Sequence, residues 1–225
     1  MSIQIDNAVF RYPGERFELA VDALSIDADA PTAIIGPSGS GKTTLLRLIA
    51  GVIRPQRGAV RVLGEAVSAM SDAQARAFRI RHIGLVFQAY ELVDYLDARD
   101  NILLPFRVSH ALKLNPAARR RAEELAEATG ITRLLGSRPA QLSQGERQRV
   151  AICRALVTRP RLVLADEPTG SLDPDNQRRI VELLRTASAQ AGAGLVMVTH
   201  DHGLLNHFAR VIDLPDIKSN PGDRA

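Results

Sequence analysis

Nine consecutive residues early in the chain have the types and the spacing that can hold a phosphate group. They are Gly36, Pro37, Ser38, Gly39, Ser40, Gly41, Lys42, Thr43 and Thr44. Glycines allow successive backbone N–H groups to face an anion, because no Cβ blocks the approach. Lys42 can bring a positive charge to the outer phosphates, and Thr43 can offer its hydroxyl to Mg²⁺. The pattern G-x-x-x-x-G-K-[ST] predicts a phosphate-binding loop, called the P-loop below.

The segments on either side of the P-loop are those that such a loop requires. Residues 33–35 are an apolar run that predicts a buried strand. Residues 45–49 are rich in apolar side chains and predict a helix packed on a sheet. The unpaired N–H groups and the positive dipole end of that helix would face the same anion. A Gly- and Ser-rich turn that merely precedes a helix is the alternative, and the complete motif with both flanks disfavours it.

Two adjacent carboxylates end a second buried run. Residues 162–165 are apolar and are followed directly by Asp166 and Glu167. Adjacent carboxylates at the carboxyl end of a sheet are costly unless a cation or a proton is needed there. In a P-loop NTPase, a strand of this kind carries an Asp to Mg²⁺. Asp166 is therefore the metal candidate, and Glu167 is a candidate base or water-orienting group.

A histidine follows a third buried run. Residues 195–199 predict a strand that ends just before His200. Open α/β sheets bind their ligands beyond the carboxyl ends of the strands, where the P-loop and Asp166 are also expected. We therefore predict a functional role for His200, the alternative being an ordinary loop histidine. His202 and His207 lack this placement and are expected to be structural.

The middle of the chain has a different pattern, because strand-like runs vanish between residues 89 and 158. Asn115 and Pro116 are suited to be the cap and the first residue of a helix. Ser143 and Glu146 have the spacing of a capping box, which predicts the start of a helix that is apolar on most sides and therefore buried. These features predict a helical subdomain inserted between two halves of an α/β domain.

The composition of the chain disfavours several functional classes of protein. The 225 residues are 45% apolar and carry a net charge of +4, and the densest arginine run is followed by glutamates. No basic block alternates with aromatic residues, which disfavours a platform for single-stranded nucleic acid. The single cysteine, Cys153, excludes an internal disulfide and fits a reducing compartment. The sequence shows neither a signal peptide nor an apolar run of spanning length, so we expect a soluble, cytoplasmic protein.

Taken together, these residues closely resemble one family, the ATP-binding cassette (ABC) ATPases. The resemblance runs from Tyr12 to His200. Its most specific marker is similar to the signature sequence of the family and consists of Leu142, Ser143, Gln144, Gly145 and Glu146. Within the family, residues 145–152 and 164–173 look most like bacterial cassettes of the lipoprotein-release, macrolide-export and cell-division type.

The resemblance implies a fold and its divisions. The fold is α/β, a P-loop NTPase core with an antiparallel β subdomain and an inserted helical subdomain. Residues 1–88 and 159–215 would form the core with the β subdomain, and residues 89–158 the helical signature subdomain. Residues 216–225 would be a loose tail. The whole chain would be a single ABC ATPase domain.

The resemblance also implies roles for residues around the nucleotide. Tyr12 falls where the family stacks adenine. Gln88 falls where a glutamine contacts Mg²⁺ and senses the membrane partner. Asp166 and Glu167 match the metal aspartate and the catalytic glutamate, and His200 matches the histidine at the γ-phosphate.

Other positions concern contact between two copies of the cassette. In such proteins two cassettes enclose two ATP molecules, each between one P-loop and the signature helix of the other subunit. A capped helix N-terminus is an anion site that a second chain can present to the phosphate. Asp173 lies in the loop that crosses between subunits. The resemblance therefore implies ATP and Mg²⁺ as cofactors and a homodimer that forms on ATP binding.

The resemblance further implies a cellular setting. The cassette would work with a separate transmembrane permease subunit, in the cytoplasm and peripheral on the inner face of the cytoplasmic membrane. It would hydrolyse ATP and would not contact nucleic acid directly. Two alternatives stay open: a regulatory or structural cassette that signals to a membrane complex without transport, and a cassette that acts on DNA or ribosomes. The latter usually has a second cassette or a long coiled-coil insertion.

Two positions depart from the pattern of the family. Gln144 stands where a second glycine is usual, and its side chain could crowd the γ-phosphate or donate its amide to it. Ala30 and Pro31 replace the usual Gly-Glu turn before the P-loop strand. Neither change affects the metal or base positions, so hydrolysis remains the prediction.

Overall fold

The computed structural model describes residues 2–14, 16–27 and 29–217, and contacts divide the chain into two compact units. Unit 1 takes the chain up to Arg76 and again from Val198, and unit 2 is Ala77–Met197. The predicted helical subdomain at residues 89–158 lies within unit 2. Its treatment as a separate subdomain remains a prediction.

Unit 1 contains a three-stranded antiparallel sheet in the order β2-β1-β4, formed by β1 (Ser2–Arg11), β2 (Glu18–Asp27) and β4 (Arg57–Val62). Burial alternates along the start of β1, because successive side chains of a strand point to opposite faces. A bulge interrupts the pairing of β1 with β4. Gly58 has a φ of +80°, and a Cβ there would lie 2.2 Å from the carbonyl oxygen of Asn7. The bulge therefore requires a glycine at this position.

Unit 1 also contains two parallel strands, β3 (Thr32–Ile35) and β8 (Arg210–Asp213), with Ile34 opposite Ile212. All four residues of β3 are buried, as expected for a parallel strand covered on both faces. The P-loop follows β3 and leads into α1 (Lys42–Ile49). The predicted strand, loop and helix are therefore confirmed. The helix α2 (Asp72–His82) begins in unit 1 and ends in unit 2.

Unit 2 contains three neighbouring strands in the order β5-β6-β7. They are β5 (Ile83–Phe87), β6 (Leu162–Asp166) and β7 (Gly194–Val198), whose last residue belongs to unit 1. β5 and β6 are parallel and end together, since Phe87 pairs with Asp166. The helix α6 (Pro174–Gln190) lies between β6 and β7 in the chain.

Three further helices of unit 2 pack on one another: α3 (Ala98–Val108), α4 (Pro116–Ala128) and α5 (Gln144–Leu156). α5 is the most central, because it contacts α3, α4, α6 and β5. It is lined by buried apolar residues, as its sequence predicts. α3 was not among the predicted helices. It begins at the cap Asp97, whose side chain accepts a hydrogen bond from the Asp100 N–H at 2.7 Å.

Short 3-10 turns complete the described chain, at Val67–Ala69, Thr132–Leu134, Pro139–Gln141, His202–His207 and Pro215–Ile217. Parallel strands with helices, together with a separate antiparallel sheet, confirm the predicted α/β class. The tail predicted for residues 216–225 lies outside the described residues from position 218 onward. Among the helices of the described ranges, none has the length and hydrophobicity needed to cross a membrane.

Candidate nucleotide-binding site

The P-loop has a backbone that only glycine adopts easily at three positions. Gly36, Gly39 and Gly41 have φ values of +155°, +75° and +104°. A Cβ on Gly41 would lie 2.8 Å from the ring of Phe17, at the entrance to β2. No described atom lies within 4 Å of a Cβ built on Gly39, so the loop is open there. The loop therefore leaves room for an anion to approach its N–H groups.

Two side chains of the P-loop turn toward the loop itself. Lys42 is 5% exposed, and its Nζ donates to the carbonyl oxygens of Gly36 at 2.8 Å and Pro37 at 3.1 Å. The hydroxyl oxygen of Ser40 is buried and has no hydrogen-bond partner among the described residues. Buried polar atoms are normally paired, so an orphaned hydroxyl in a glycine-rich loop fits a phosphate ligand. The charge of Lys42 has the sign that such a ligand needs.

Unit 1 also places Tyr12 and His200 beside this loop. Tyr12 follows β1, and its phenol oxygen lies 3.5 Å from the hydroxyl oxygen of Thr44. His200 follows Thr199, whose N–H donates at 3.1 Å to the carbonyl oxygen of Ile34 in β3. Since β3 leads directly into the P-loop, His200 stands at the carboxyl end of that strand, and its side chain is exposed. This is the sheet edge that the sequence predicts for it.

Unit 2 brings together Gln88, Asp166 and Glu167. Phe87 and Asp166 are the last paired residues of β5 and β6. Gln88 and Glu167 are therefore the first residues after these two neighbouring strands. A Cβ on Gly170 would lie 2.6 Å from the amide nitrogen of Gln88, which shows how closely this side chain packs on the loop after β6. Glu167 has a φ of +44°, a conformation that costs a bulky residue energy. Such backbone strain concentrates at functional sites.

The donor atoms of these residues fit a hard divalent cation. Within unit 2, Asp166 offers a carboxylate and Gln88 an amide oxygen, and Mg²⁺ prefers oxygen ligands. The described residues contain no group of three or more His, Cys, Asp or Glu side chains arranged to hold a metal. Mg²⁺ commonly takes one or two carboxylates and completes its shell with water and substrate phosphates. The carboxylate of Asp166 and the amide oxygen of Gln88 are therefore ligands of the kind that Mg²⁺ takes.

The signature residues begin α5, as the capping box predicts. The Ser143 N–H donates to the Glu146 carboxylate at 2.8 Å, and the Glu146 N–H donates to the Ser143 hydroxyl oxygen at 3.4 Å. Hydrogen bonds from Ser143 lower the pKa of Glu146. Ser143 and Gln144 are exposed, and no described atom lies within 4 Å of a Cβ built on Gly145. Leu142 is buried and anchors this exposed start of the helix.

Asp173 is the cap of α6. Its carboxylate accepts hydrogen bonds from the Asn176 N–H at 3.1 Å and from the Asn176 side chain at 2.6 Å. These hydrogen bonds lower the pKa of Asp173. The residue is exposed, so its carboxylate is accessible as well as structural.

Sequence reasoning missed Arg154, which lies on α5 with no motif to mark it. Its guanidinium donates to the carbonyl oxygen of Tyr90 at 2.6 Å and to that of Glu91. Tyr90 and Glu91 have φ values of +60° and +50° and come two and three residues after Gln88. Burial lowers the pKa of the guanidinium. The only sequence signal is an arginine within the apolar second half of the helix, residues 150–156.

This chain is similar to known proteins of one family. The profile of the family described as ABC transporter matches residues 20–170, which is more than half of the chain. The chain belongs to the ABC transporter family. It is an ABC ATPase, as the P-loop and the signature residues predict.

Individual relatives agree with this assignment. The lipoprotein-releasing system ATP-binding protein LolD of Chromohalobacter salexigens is 43% identical over 86% of this chain and 82% of its own. The macrolide export ATP-binding/permease protein MacB of Rhodopirellula baltica is 40% identical over 86% of this chain and 28% of its own. The resemblance to lipoprotein-release and macrolide-export cassettes is therefore confirmed.

A solved structure shares the fold of this ABC ATPase. It is the dimeric post-hydrolysis state of the ATP-binding cassette MJ0796 bound to ADP and Pi, with a TM-score of 0.82 and 30% sequence identity. The match covers 96% of this chain and 94% of the other.

Proposed function

We propose that this ABC ATPase binds ATP at the P-loop, hydrolyses it with Glu167 and drives a separate membrane permease. The observation that carries the proposal is the P-loop itself, with its left-handed glycines, its orphaned Ser40 hydroxyl and the buried Lys42. Backbone N–H groups of the loop would hold the phosphates, and the Lys42 ammonium would leave the loop carbonyls to bind the outer phosphates. Tyr12 would stack on the adenine.

The metal site would use Thr43, Asp166 and Gln88. Bound there, Mg²⁺ would supply positive charge that offsets the negative charge developing on the phosphates. Glu167 follows the metal aspartate, and its carboxylate would orient the attacking water and accept its proton. His200 would donate a hydrogen bond to the γ-phosphate.

A second copy of the chain would complete each site. Its exposed residues Ser143 and Gln144 and the half-buried Gly145 would present the α5 N-terminus to the γ-phosphate, where N–H groups and the helix dipole favour an anion. The space beside Gly145 supports this, because a Cβ built there would meet no described atom within 4 Å beyond the backbone of its own helix. Asp173 would contact the partner copy. The dimeric state of the MJ0796 cassette also supports a dimer here.

The permease would be a separate protein that holds the cassette at the inner face of the cytoplasmic membrane. The support comes from the relatives. The name of the MacB relative joins an ATP-binding part to a permease, and the present chain matches 28% of it. The LolD relative is named for the ATP-binding component alone, and the present chain spans most of its length.

The experiment that tests the proposal is Glu167→Gln. The glutamine keeps the size of the side chain but cannot accept the proton of the attacking water at neutral pH. We expect hydrolysis under saturating Mg-ATP to fall at least about a hundredfold, within the range that a positioned general base contributes. We also expect more dimer with ATP in size-exclusion chromatography, because a negative charge near the γ-phosphate is removed.

The matched control is Glu127→Gln, which makes the same chemical change at an exposed residue of α4. Its turnover should equal that of the unchanged chain. Turnover that persists in Glu167→Gln would remove this residue from the catalytic role. Equally low turnover in the unchanged chain and in the variant, with ATP-dependent dimers in both and the permease present, would favour a regulatory cassette.

A further inference from the structure

We infer that Arg47 and Gln56 are positioning residues for Tyr12, holding its ring in place before a nucleotide base arrives. The inference rests on the proposed stacking role of Tyr12 in nucleotide binding. Tyr12 and every residue that holds it belong to unit 1.

The backbone that leads to Tyr12 is held by the side chain of Gln56. The Arg11 N–H donates to the Gln56 amide oxygen at 2.9 Å, and the Gln56 amide nitrogen donates to the Arg11 carbonyl oxygen at 2.8 Å. The Gln56 N–H donates to the Val9 carbonyl oxygen at 2.8 Å. A side-chain amide bonded to both backbone groups of one residue substitutes for a strand partner. Gln56 therefore holds the last residue of β1, immediately before Tyr12.

The free end of the Tyr12 side chain is held by α1. Arg47 Nη1 donates to the Tyr12 phenol oxygen at 3.2 Å, and the Thr44 hydroxyl oxygen lies 3.5 Å from the same atom. Phe10 meets the ring edge to face, with centroids 4.7 Å apart and planes at 87°. The backbone, the ring and the hydroxyl of Tyr12 are thus each fixed by a different neighbour.

The position of Tyr12, held in advance by its neighbours, affects the affinity for a nucleotide. A side chain that must be ordered when a ligand binds costs affinity, and one that is already held does not. Tyr12 is half-buried, so one part of its ring remains available for stacking on a base. Removal of a positioning residue should therefore weaken binding of a nucleotide but not of phosphate groups alone.

Arg47 has an alternative role as a direct contact to phosphate. Its position argues against this role, because Arg47 lies in the last turn of α1, whereas the P-loop meets the first turn. Its side chain is exposed, and its guanidinium is engaged with the phenol of Tyr12. The two roles give different results with a ligand that has phosphates but no base.

The experiment measures the affinity of the full chain for Mg-ADP by calorimetry, and that for inorganic pyrophosphate by competition with ADP. ADP avoids turnover during the measurement. The variants are Arg47→Met, Gln56→Ala and Gln56→Glu, with Tyr12→Ala as the reference and Arg61→Met as the control. Arg61 is an exposed arginine of β4 in the same unit. Circular dichroism checks that each variant folds.

We expect Arg47→Met and Gln56→Ala to weaken ADP binding roughly two- to tenfold, the cost of ordering one side chain. Pyrophosphate affinity should not change, and Arg61→Met should bind both ligands as the unchanged chain does. Gln56→Glu keeps the acceptor for the Arg11 N–H and loses the donor, so its effect should be smaller. In a Tyr12→Phe background, Arg47→Met should have no further effect, because the atom it holds is gone.

Three outcomes would overturn the inference, and they are distinguishable. Equal loss of pyrophosphate and ADP affinity would make Arg47 a phosphate contact. Unchanged ADP affinity in both Arg47→Met and Gln56→Ala, with a clear loss in Tyr12→Ala, would leave the stacking role intact and reject the positioning residues. Unchanged ADP affinity in Tyr12→Ala would reject the proposed stacking role itself.

Discussion

At the scale of single residues, buried polar groups are the most informative feature of this chain. Lys42 is buried and donates to carbonyl oxygens of its own loop, and the half-buried Arg154 donates to carbonyl oxygens of another segment. A buried charge is tolerated only when hydrogen bonds compensate for the lost water. Each of these residues therefore holds a stretch of backbone next to a proposed ligand position. Cys153 shows the opposite case, since burial raises the pKa of its thiol to about 11 and leaves it neutral.

The role of Lys42 can be tested with Lys42→Ala. We expect ATP affinity to fall about ten- to a hundredfold, because hydrogen bonds from a charged group contribute about 1.5–3 kcal/mol. Binding is measured by calorimetry and folding by circular dichroism. Lys113→Ala is the matched control, because Lys113 is an exposed lysine outside the P-loop. Unchanged ATP affinity in a folded Lys42→Ala chain would contradict the site assignment.

At the scale of elements, α5 connects several parts of unit 2. Its first residues carry the signature sequence, and its middle is buried against α3, α4 and β5. Near its C-terminal end, Arg154 holds the carbonyl groups of Tyr90 and Glu91 after β5. Gln88 lies at the start of the same segment. One helix therefore links the signature end to the segment that follows the predicted magnesium-binding glutamine.

The contribution of this link can be measured with Arg154→Met. Methionine fills much of the same volume but leaves two carbonyl groups without their charged donor. We expect a loss of about 1.5–3 kcal/mol in the free energy of unfolding, because the hydrogen bonds from a charged group to the two carbonyl oxygens are lost. Urea denaturation gives the free energy, and hydrogen exchange reports on residues near Tyr90. Arg149→Met, on the same helix, is the control and should cost less than about 1 kcal/mol. Equal stability of the two variants would mean that Arg154 does not hold this segment.

At the scale of the whole molecule, the chain offers a signature end that its own fold leaves open. Gly145 has no described atom near its Cβ position and an ordinary φ, so a larger residue fits there in the single chain. Under the proposed function, a partner copy with ATP bound at its P-loop would place the γ-phosphate of that ATP in this space. The effect of a substitution at this position therefore separates folding from assembly.

Mixing two defective chains tests the assembly. Lys42→Ala keeps an intact signature end, and Gly145→Asp keeps an intact P-loop but places a carboxylate where the partner's γ-phosphate would come. Each chain alone should be inactive. In a random mixture, half of the dimers contain one chain of each kind and therefore have one intact site out of two. If the two sites are independent, we expect about a quarter of the activity of the unchanged chain. A mixture no more active than either variant, with the permease present, would reject the shared site. Gly145→Ala is the control and should retain more activity than Gly145→Asp.

The sequence by itself determined the parts of this protein whose chemistry is local. The P-loop, the strand that ends in Asp166 and the capping box at Ser143 each depend on neighbouring residues, whose backbone preferences can be read directly. These segments adopt the predicted strand, loop and helix structures. The family followed from the same motifs and from the matched profile.

The tertiary structure alone decided the features that depend on distant pairs. Arg47 meets Tyr12 across 35 residues of sequence and Arg154 meets Tyr90 across 64, and neither pair has a local pattern that predicts it. The requirement for glycine at position 58 likewise arises only because β1 bulges against it. Such contacts depend on how strands and helices pack, and packing is a property of the folded chain rather than of any segment. Local chemistry therefore predicted which residues could act, while packing determined which side chains hold them in position.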